Sequence, residues 1–200
     1  MQFITYPVLV LPLLGSLLFL PIDMPVELTD IQGKKISIDA LQDRQALVMI
    51  FVTTDCPIAN SYHPKLARLY REFQSQGIVF VLVHEGPNQS KEKLAKHAHE
   101  YSVPYPIVMD SDHLIANRWN VSKTPEALVL DKSDATLYQG RIDDMYQGFG
   151  KKRIHPTRED LCIALSEIVV GKEVSEPKTD VVGCSIAKKE FKPSASQIDE

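Results

Sequence analysis

Cysteine is scarce in this chain, and charge is not clustered in it. Three cysteines in 200 residues exclude a disulfide-stapled scaffold and suggest reactive thiols instead. A chain of this length buries a core without such support. The 22 Lys and Arg are outnumbered by 26 Asp and Glu, for a net charge of −4. No basic cluster stands out, which excludes nucleic acid as a partner class. No internal repeat and no low-complexity block interrupts the chain. With 44% hydrophobic and 24% charged residues, it reads as one ordinary globular domain with small appendages. His63, His97, His99, His113 and His155 show no paired ligand spacing, so no metal site is expected. His97 and His99, two apart on a helix, face different sides.

What is present is one stretch that organises the rest, LVMIFVTTDCPIANSY at residues 47–62. The apolar run at 46–52 is rich in β-branched and aromatic residues and predicts a strand buried on both faces. It breaks at Thr53, Thr54 and Asp55, and Cys56 and Pro57 follow. Leu66, Leu69, Tyr70 and Phe73 then recur at helical spacing, so Cys56 stands where a buried strand hands over to a helix. Unpaired backbone N–H groups and the helix dipole favour an anion there. A thiol so placed has its pKa lowered and becomes a nucleophile near neutral pH. Pro57 suits a first helical turn, where its missing N–H costs nothing. The plain alternative is that Cys56 is one more small buried hydrophobe.

Residues 3–20 are almost wholly apolar, carry no charge and are closed by Pro21. Their length fits a signal-peptide core or a membrane anchor, which sets residues 1–22 apart. The chain is accordingly expected to be exported, periplasmic or otherwise extracytoplasmic. No Lys or Arg precedes the block, and Pro7 and Pro12 sit badly in an isolated helix. From residue 26 the pattern turns globular. Residues 26–29 and 35–38 predict a hairpin, and Ser37 and Asp39 offer caps to a helical turn at 40–43. The first long helix is expected to end near Gly77, and a second apolar run at 78–83 completes a parallel βαβ unit. Ser90 caps a second helix with Leu94, His97, Ala98 and Tyr101 facing inward. Residues 107–109 form a short extended piece, and 114–119 a helical turn or two. Strands at 126–131 and 136–141 make an antiparallel hairpin. A loop at 143–153 leads to a last helix starting at Pro156 and Thr157, with Leu161, Leu165, Ile168 and Val169 as its apolar stripe. The domain is bounded at 23–172. Residues 173–200 form a polar tail with one apolar island at 181–186, which has little reason to exist unless it docks onto something.

The order βαβ, helical connection, ββα, with Cys56 opening the first long helix, resembles the thioredoxin-like superfamily. The nearest likeness is to its redoxin branch, which includes exported thiol–disulfide oxidoreductases and peroxiredoxins. The motifs that carry it are FVTTDCP at 51–57, Thr124-Pro125, EALVLD at 126–131 and LYQGRID after it. The resemblance implies an α/β fold: a central mixed sheet flanked by helices, with an amino-terminal hairpin. It implies a cis Thr124–Pro125 bond beside the active cysteine and a Thr124 backbone offered to an extended substrate peptide. Thr53 and Pro57 are expected at the same site. The implied partners are a disulfide- or thiol-containing protein and a thiol electron donor, with no cofactor.

The chain departs from the family in one important place. Thioredoxins carry Cys-x-x-Cys, whereas Ala59 stands here where the second thiol belongs. A thiolate alone stops at a mixed disulfide. Cys184 is the candidate resolving thiol, while Cys162, between Leu161 and Ile163, reads as core filler. Two other functions are weighed. A peroxiredoxin-type peroxidase agrees with Thr53, but Met49 replaces a proline of that pattern and Thr124-Pro125 stands where its arginine belongs. A redox-inactive binding module agrees with Ala59. His84 and Glu85, at the carboxyl end of a strand where sites gather in open sheets, could carry a proton beside the thiol; a bystander role for His84 is the plainer reading.

Overall fold

The computed structural model describes residues 27–37, 45–87 and 89–186. The apolar block at 3–20 and the helical turn expected at 40–43 lie outside these residues. Among the described residues no helix is long and apolar enough to cross a membrane.

A hairpin of β1 (Glu27–Thr29) and β2 (Lys35–Ser37) comes first. Then follow β3 (Ala46–Val52), α1 (Pro57–Phe73), β4 (Ile78–Glu85), α2 (Lys91–Glu100), β5 (Ile107–Asp110) and α3 (Leu114–Arg118). The second half holds β6 (Lys123–Thr124), β7 (Glu126–Leu130), β8 (Thr136–Gly140), β9 (Tyr146–Gly148), β10 (Lys151–Lys152), α4 (Asp160–Val169) and β11 (Cys184–Ser185). The main sheet has the order β5-β4-β3-β7-β8. The continuous apolar run earns β3 its place at the centre, where every residue is buried. Alternate side chains enter two cores. Val48, Ile50 and Val52 pack with Leu66, Leu69 and Phe73 of α1 and Leu161 and Leu165 of α4. Leu47, Met49 and Phe51 pack with Ile115 of α3 and with Ile186. Full burial of each such side chain is worth about 1.5–3 kcal/mol.

Register decides where the site lies. β3 runs parallel to β4, with Val52 opposite His84, and antiparallel to β7, with Phe51 opposite Glu126. β5 runs parallel to β4, with Asp110 opposite Glu85. The ends of β3, β4 and β5 and the start of β7 therefore share one sheet edge, and Cys56, Glu85, Asp110, Thr124 and Pro125 gather there.

Several expectations change in detail. The piece at 107–109 is a full member of the sheet. The loop at 143–153 contains the β9–β10 hairpin, whose half-exposed or exposed positions carry no apolar alternation. The last helix begins not at Pro156 and Thr157 but at Asp160. The Asp144 carboxylate accepts from the backbone of Thr157 at 2.7 Å and of Arg158 at 3.0 Å, and from the Thr157 hydroxyl, which holds this segment in a turn. α1 gives way to a 3-10 turn at Gln74–Gln76, and Gly77, at φ 81°, closes it as expected. The Ser90 hydroxyl caps α2 through the Lys93 N–H at 3.2 Å. Beyond α4 the chain stays packed: Val174 and Ile186 are buried. Pro177 O accepts from Gln139 N at 2.8 Å, and Thr179 N donates to Gln139 O at 3.1 Å.

Candidate active site

Cys56 is the residue before α1, with φ −82° and ψ 108°, and Pro57 occupies the first helical turn. Its backbone N–H returns to Thr53 O at 3.4 Å, and its carbonyl accepts from Asn60 N at 3.0 Å. The thiol is buried and donates to Thr124 O at 3.2 Å. The Thr124–Pro125 bond is cis. Cys184 arrives on β11, which pairs antiparallel with β6 so that Cys184 lies opposite Thr124. This register sets Cys184 beside the carbonyl that receives the Cys56 thiol, so the two cysteines are neighbours.

The two thiols are driven apart in acidity. Burial works against a thiolate at Cys56, but hydrogen bonds from the Cys184 thiol, the Ala59 backbone and the Thr124 hydroxyl outweigh it and hold the group below the ordinary thiol range. Burial and the neighbouring Cys56 raise Cys184. The pair is thus biased towards ionisation at Cys56 and towards retention of the proton at Cys184. That is the division of labour an attacking and a resolving thiol need. Cys162 lies on α4 and does not line the cavity at Cys56, and burial raises its pKa.

A cavity of about 280 Å³ opens onto Cys56, walled by Thr53, Asp55, Glu85, His113 and Cys184 among others. Thr53 thus lines the cavity next to Cys56. Pro57 does not line this cavity; it is exposed and serves to start the helix. Glu85, not His84, is the polar group that β4 delivers here. Its Oε2 meets His113 Nδ1 at 2.8 Å, and burial together with the Asp110 charge pushes its carboxyl up to about 9. Glu126 holds the start of β6: it accepts from the backbone N–H groups of Ser122 at 3.3 Å and Lys123 at 3.4 Å, and from Gln139 Nε2 at 2.8 Å. Sequence reasoning missed this role, although a charged residue directly after Thr-Pro was its signal.

His84 turns to the opposite side and joins His63 and His97. Ring centroids lie 5.1 Å apart for His84–His97 and 5.2 Å for His63–His97. Burial lowers all three, and neighbouring positive charge adds to it at His63, which falls to about 4, and at His84, which falls to about 3. No group of three or more His, Cys, Asp or Glu among the described residues is arranged to hold a metal ion. His97 Nε2 meets Asn60 Oδ1 at 2.9 Å, and Asn60 Nδ2 donates to Thr54 O at 3.0 Å, so the trio is tied to the loop before Cys56.

A family model described as "AhpC/TSA family" matches residues 23–139. The thiol-disulfide oxidoreductase ResA of Bacillus subtilis is 29% identical over 104 residues, which cover 52% of this chain and 56% of the relative. The chain thus spans little more than half the length of that relative. A crystal structure of a conserved protein from Geobacillus kaustophilus is 26% identical with a TM-score of 0.72, covering 84% of this chain and 90% of the other. A thioredoxin-like protein from Aeropyrum pernix, at 18% identity and a TM-score of 0.53 over 74% of this chain and 89% of the other, shares the fold.

Proposed function

This chain belongs to the AhpC/TSA family, and from that premise we propose that it is a thiol–disulfide oxidoreductase with Cys56 as nucleophile and Cys184 as resolving thiol. The observation that carries the reading is the placement of Cys184 opposite Thr124, whose carbonyl receives the Cys56 thiol, by the β6–β11 pairing. The Cys56 thiolate attacks one sulfur of a substrate disulfide. The substrate S–S bond breaks, one half leaves as thiolate, and the other half remains joined to Cys56. Cys184 gives up its proton to the departing thiolate or to water in the cavity and attacks Cys56 Sγ. The second half leaves as thiolate and a Cys56–Cys184 disulfide forms. The substrate gains two electrons and the pair loses them, and an external thiol donor restores the pair. The partners proposed are a disulfide- or thiol-bearing protein and that donor. Thr53 and Thr124 face the reacting sulfur, Pro125 follows Thr124 in the site wall, and Pro57 fixes the helix start. Residues 3–20 are proposed as a leader or anchor that takes the chain out of the cytoplasm, where disulfides persist.

The direct test is peptide mapping of air-oxidised, unreduced protein by mass spectrometry. A Cys56–Cys184 link is expected. A Cys56–Cys162 link, or a Cys56 that stays free, overturns the resolving role of Cys184.

Peroxide chemistry is the reading to set beside this one, since family membership favours it. Rapid peroxide reduction needs a positive group over the developing oxygen charge as well as a thiolate. The described wall of the cavity holds neither Arg nor Lys, and Asp55 brings a carboxylate. Slow sulfenic acid formation with hydrogen peroxide but ready exchange with small disulfides is the expected result in stopped flow. A peroxide rate exceeding the disulfide rate reverses the order of the two readings.

A further inference from the structure

β6 carries the backbone edge beside Cys56, the place where an extended substrate peptide would add as a strand. That edge is taken. Cys184 and Ser185 of β11 lie opposite Thr124 and Lys123. Beyond β11, Ile186 N donates to Ser122 O at 2.9 Å, and its side chain is buried in the core that Leu47 and Phe51 build. Before it, Val181 O accepts from Lys123 Nζ at 2.9 Å. The approach is closest at Gly183. A Cβ there would stand 2.1 Å from Thr124 O and 2.7 Å from its carbonyl carbon, so a side chain cannot be seated at this position.

We infer that β11 is a self-supplied occupant of the peptide edge, so that Cys56 takes low-molecular-weight disulfides through the 280 Å³ cavity and meets a protein disulfide only when the strand lifts away. This rests on the reading of Cys56 as the attacking thiol. A tethered strand meets its own edge at an effective concentration of about millimolar or more, and an incoming polypeptide must compete with it for the same main-chain groups. A small disulfide needs no backbone edge and enters without that competition. The chemical step is unchanged: Cys56 sulfur bonds to one sulfur of the disulfide, and the other leaves as thiolate.

Two reagents with one leaving group separate the two routes. 2,2′-Dithiodipyridine is small. An extended peptide of about ten residues, its one cysteine joined to 2-thiopyridine, carries the same activated bond on a backbone. Attack by Cys56 on either is read as release of 2-thiopyridone in stopped flow, with the adduct on Cys56 verified by peptide mapping. The unaltered chain is expected to react much faster with the small reagent. Gly183→Val, which cannot seat β11, is expected to raise the peptide-to-small-reagent rate ratio tenfold or more. Lys123→Met removes the grip on Val181 O without touching the core, and is expected to raise the ratio by a smaller factor. It decides the matter alone if Gly183→Val does not fold. A ratio unchanged in the folded variants overturns the occupant. A Cys56 that reacts with neither reagent in any variant overturns the oxidoreductase reading instead.

Discussion

A chain carrying Cys184→Ala is expected to react once and stop. Cys56 still attacks a disulfide, but nothing in the chain then attacks Cys56, so the mixed disulfide accumulates to one equivalent. Multiple turnover with limiting external thiol is expected to fall by roughly a hundredfold, because release depends on that second attack. The same substitution removes the hydrogen bond that most favours the Cys56 thiolate. The pH midpoint of Cys56 alkylation is therefore expected to move upward, towards the free value of about 8.5. Cys162→Ser, altering a thiol beside Ser166 on α4, is expected to change neither reading. Intact-mass detection of the trapped adduct and alkylation rates across pH check both effects. Undiminished turnover in Cys184→Ala would show that the resolving thiol is not Cys184.

The second large effect is on stability in acid. His63 and His84 are buried and lowered to about 4 and about 3, from an unfolded value near 6.5. Below pH 6.5 the unfolded chain takes up these protons while the native chain refuses them. Stability is therefore fully present above that pH and is lost as pH falls towards 4 and 3. Each group contributes about 1.4 kcal/mol per pH unit inside its window. His97 acts in the same sense, with the Glu100 carboxylate opposing and Lys93 reinforcing its shift. Glu85 acts in the opposite sense. Raised to about 9, it stays protonated in the native chain while the unfolded chain ionises above about 4.5, so its contribution is lost as pH rises. Urea midpoints followed by circular dichroism are expected to drop steeply between pH 6.5 and 4. His84→Leu, which replaces a ring with no hydrogen-bond partner among the described residues, is expected to flatten that drop by about a third to a half. An equal slope in both proteins refutes the assignment.

Much of the site was legible because its signals are local. The apolar run of β3, the break at Thr53 and the helical spacing after Cys56 place Cys56 at the strand-to-helix junction without any long-range information. Cys184 was legible for a different reason: an apolar island in a polar tail has to dock somewhere, and the absence of a thiol at position 59 left a place for it. What stayed hidden depends on convergence in space. His63, His84 and His97 come from α1, β4 and α2, and no spacing along the chain relates them. The Glu85–His113 pair joins two turns on adjacent strands, and only the register of β4 with β5 brings them together. The turn at Thr157 was misread because Pro-Thr is a helix-start signal in isolation, whereas Asp144, from a distant loop, supplies three competing hydrogen-bond acceptor contacts.

The tail has two halves that can come apart. Residues 177–179 are zipped along Gln139 of β8, Thr179 Oγ1 meets Tyr138 Oη at 2.8 Å, and a Cβ at Gly140 would stand 2.1 Å from that same oxygen. At the far side of the sheet, the turn after β1 covers β5, with Ile31 N on Ile107 O at 2.9 Å. Both margins of the five-stranded sheet are thus guarded by the chain's own segments, which denies other copies the exposed ladder that seeds aggregation. Release of residues 181–186 uncovers the two residues of β6 and leaves both guards in place. Lifting of β11, as proposed above, would therefore expose Cys56 without presenting a sticky sheet to neighbouring molecules.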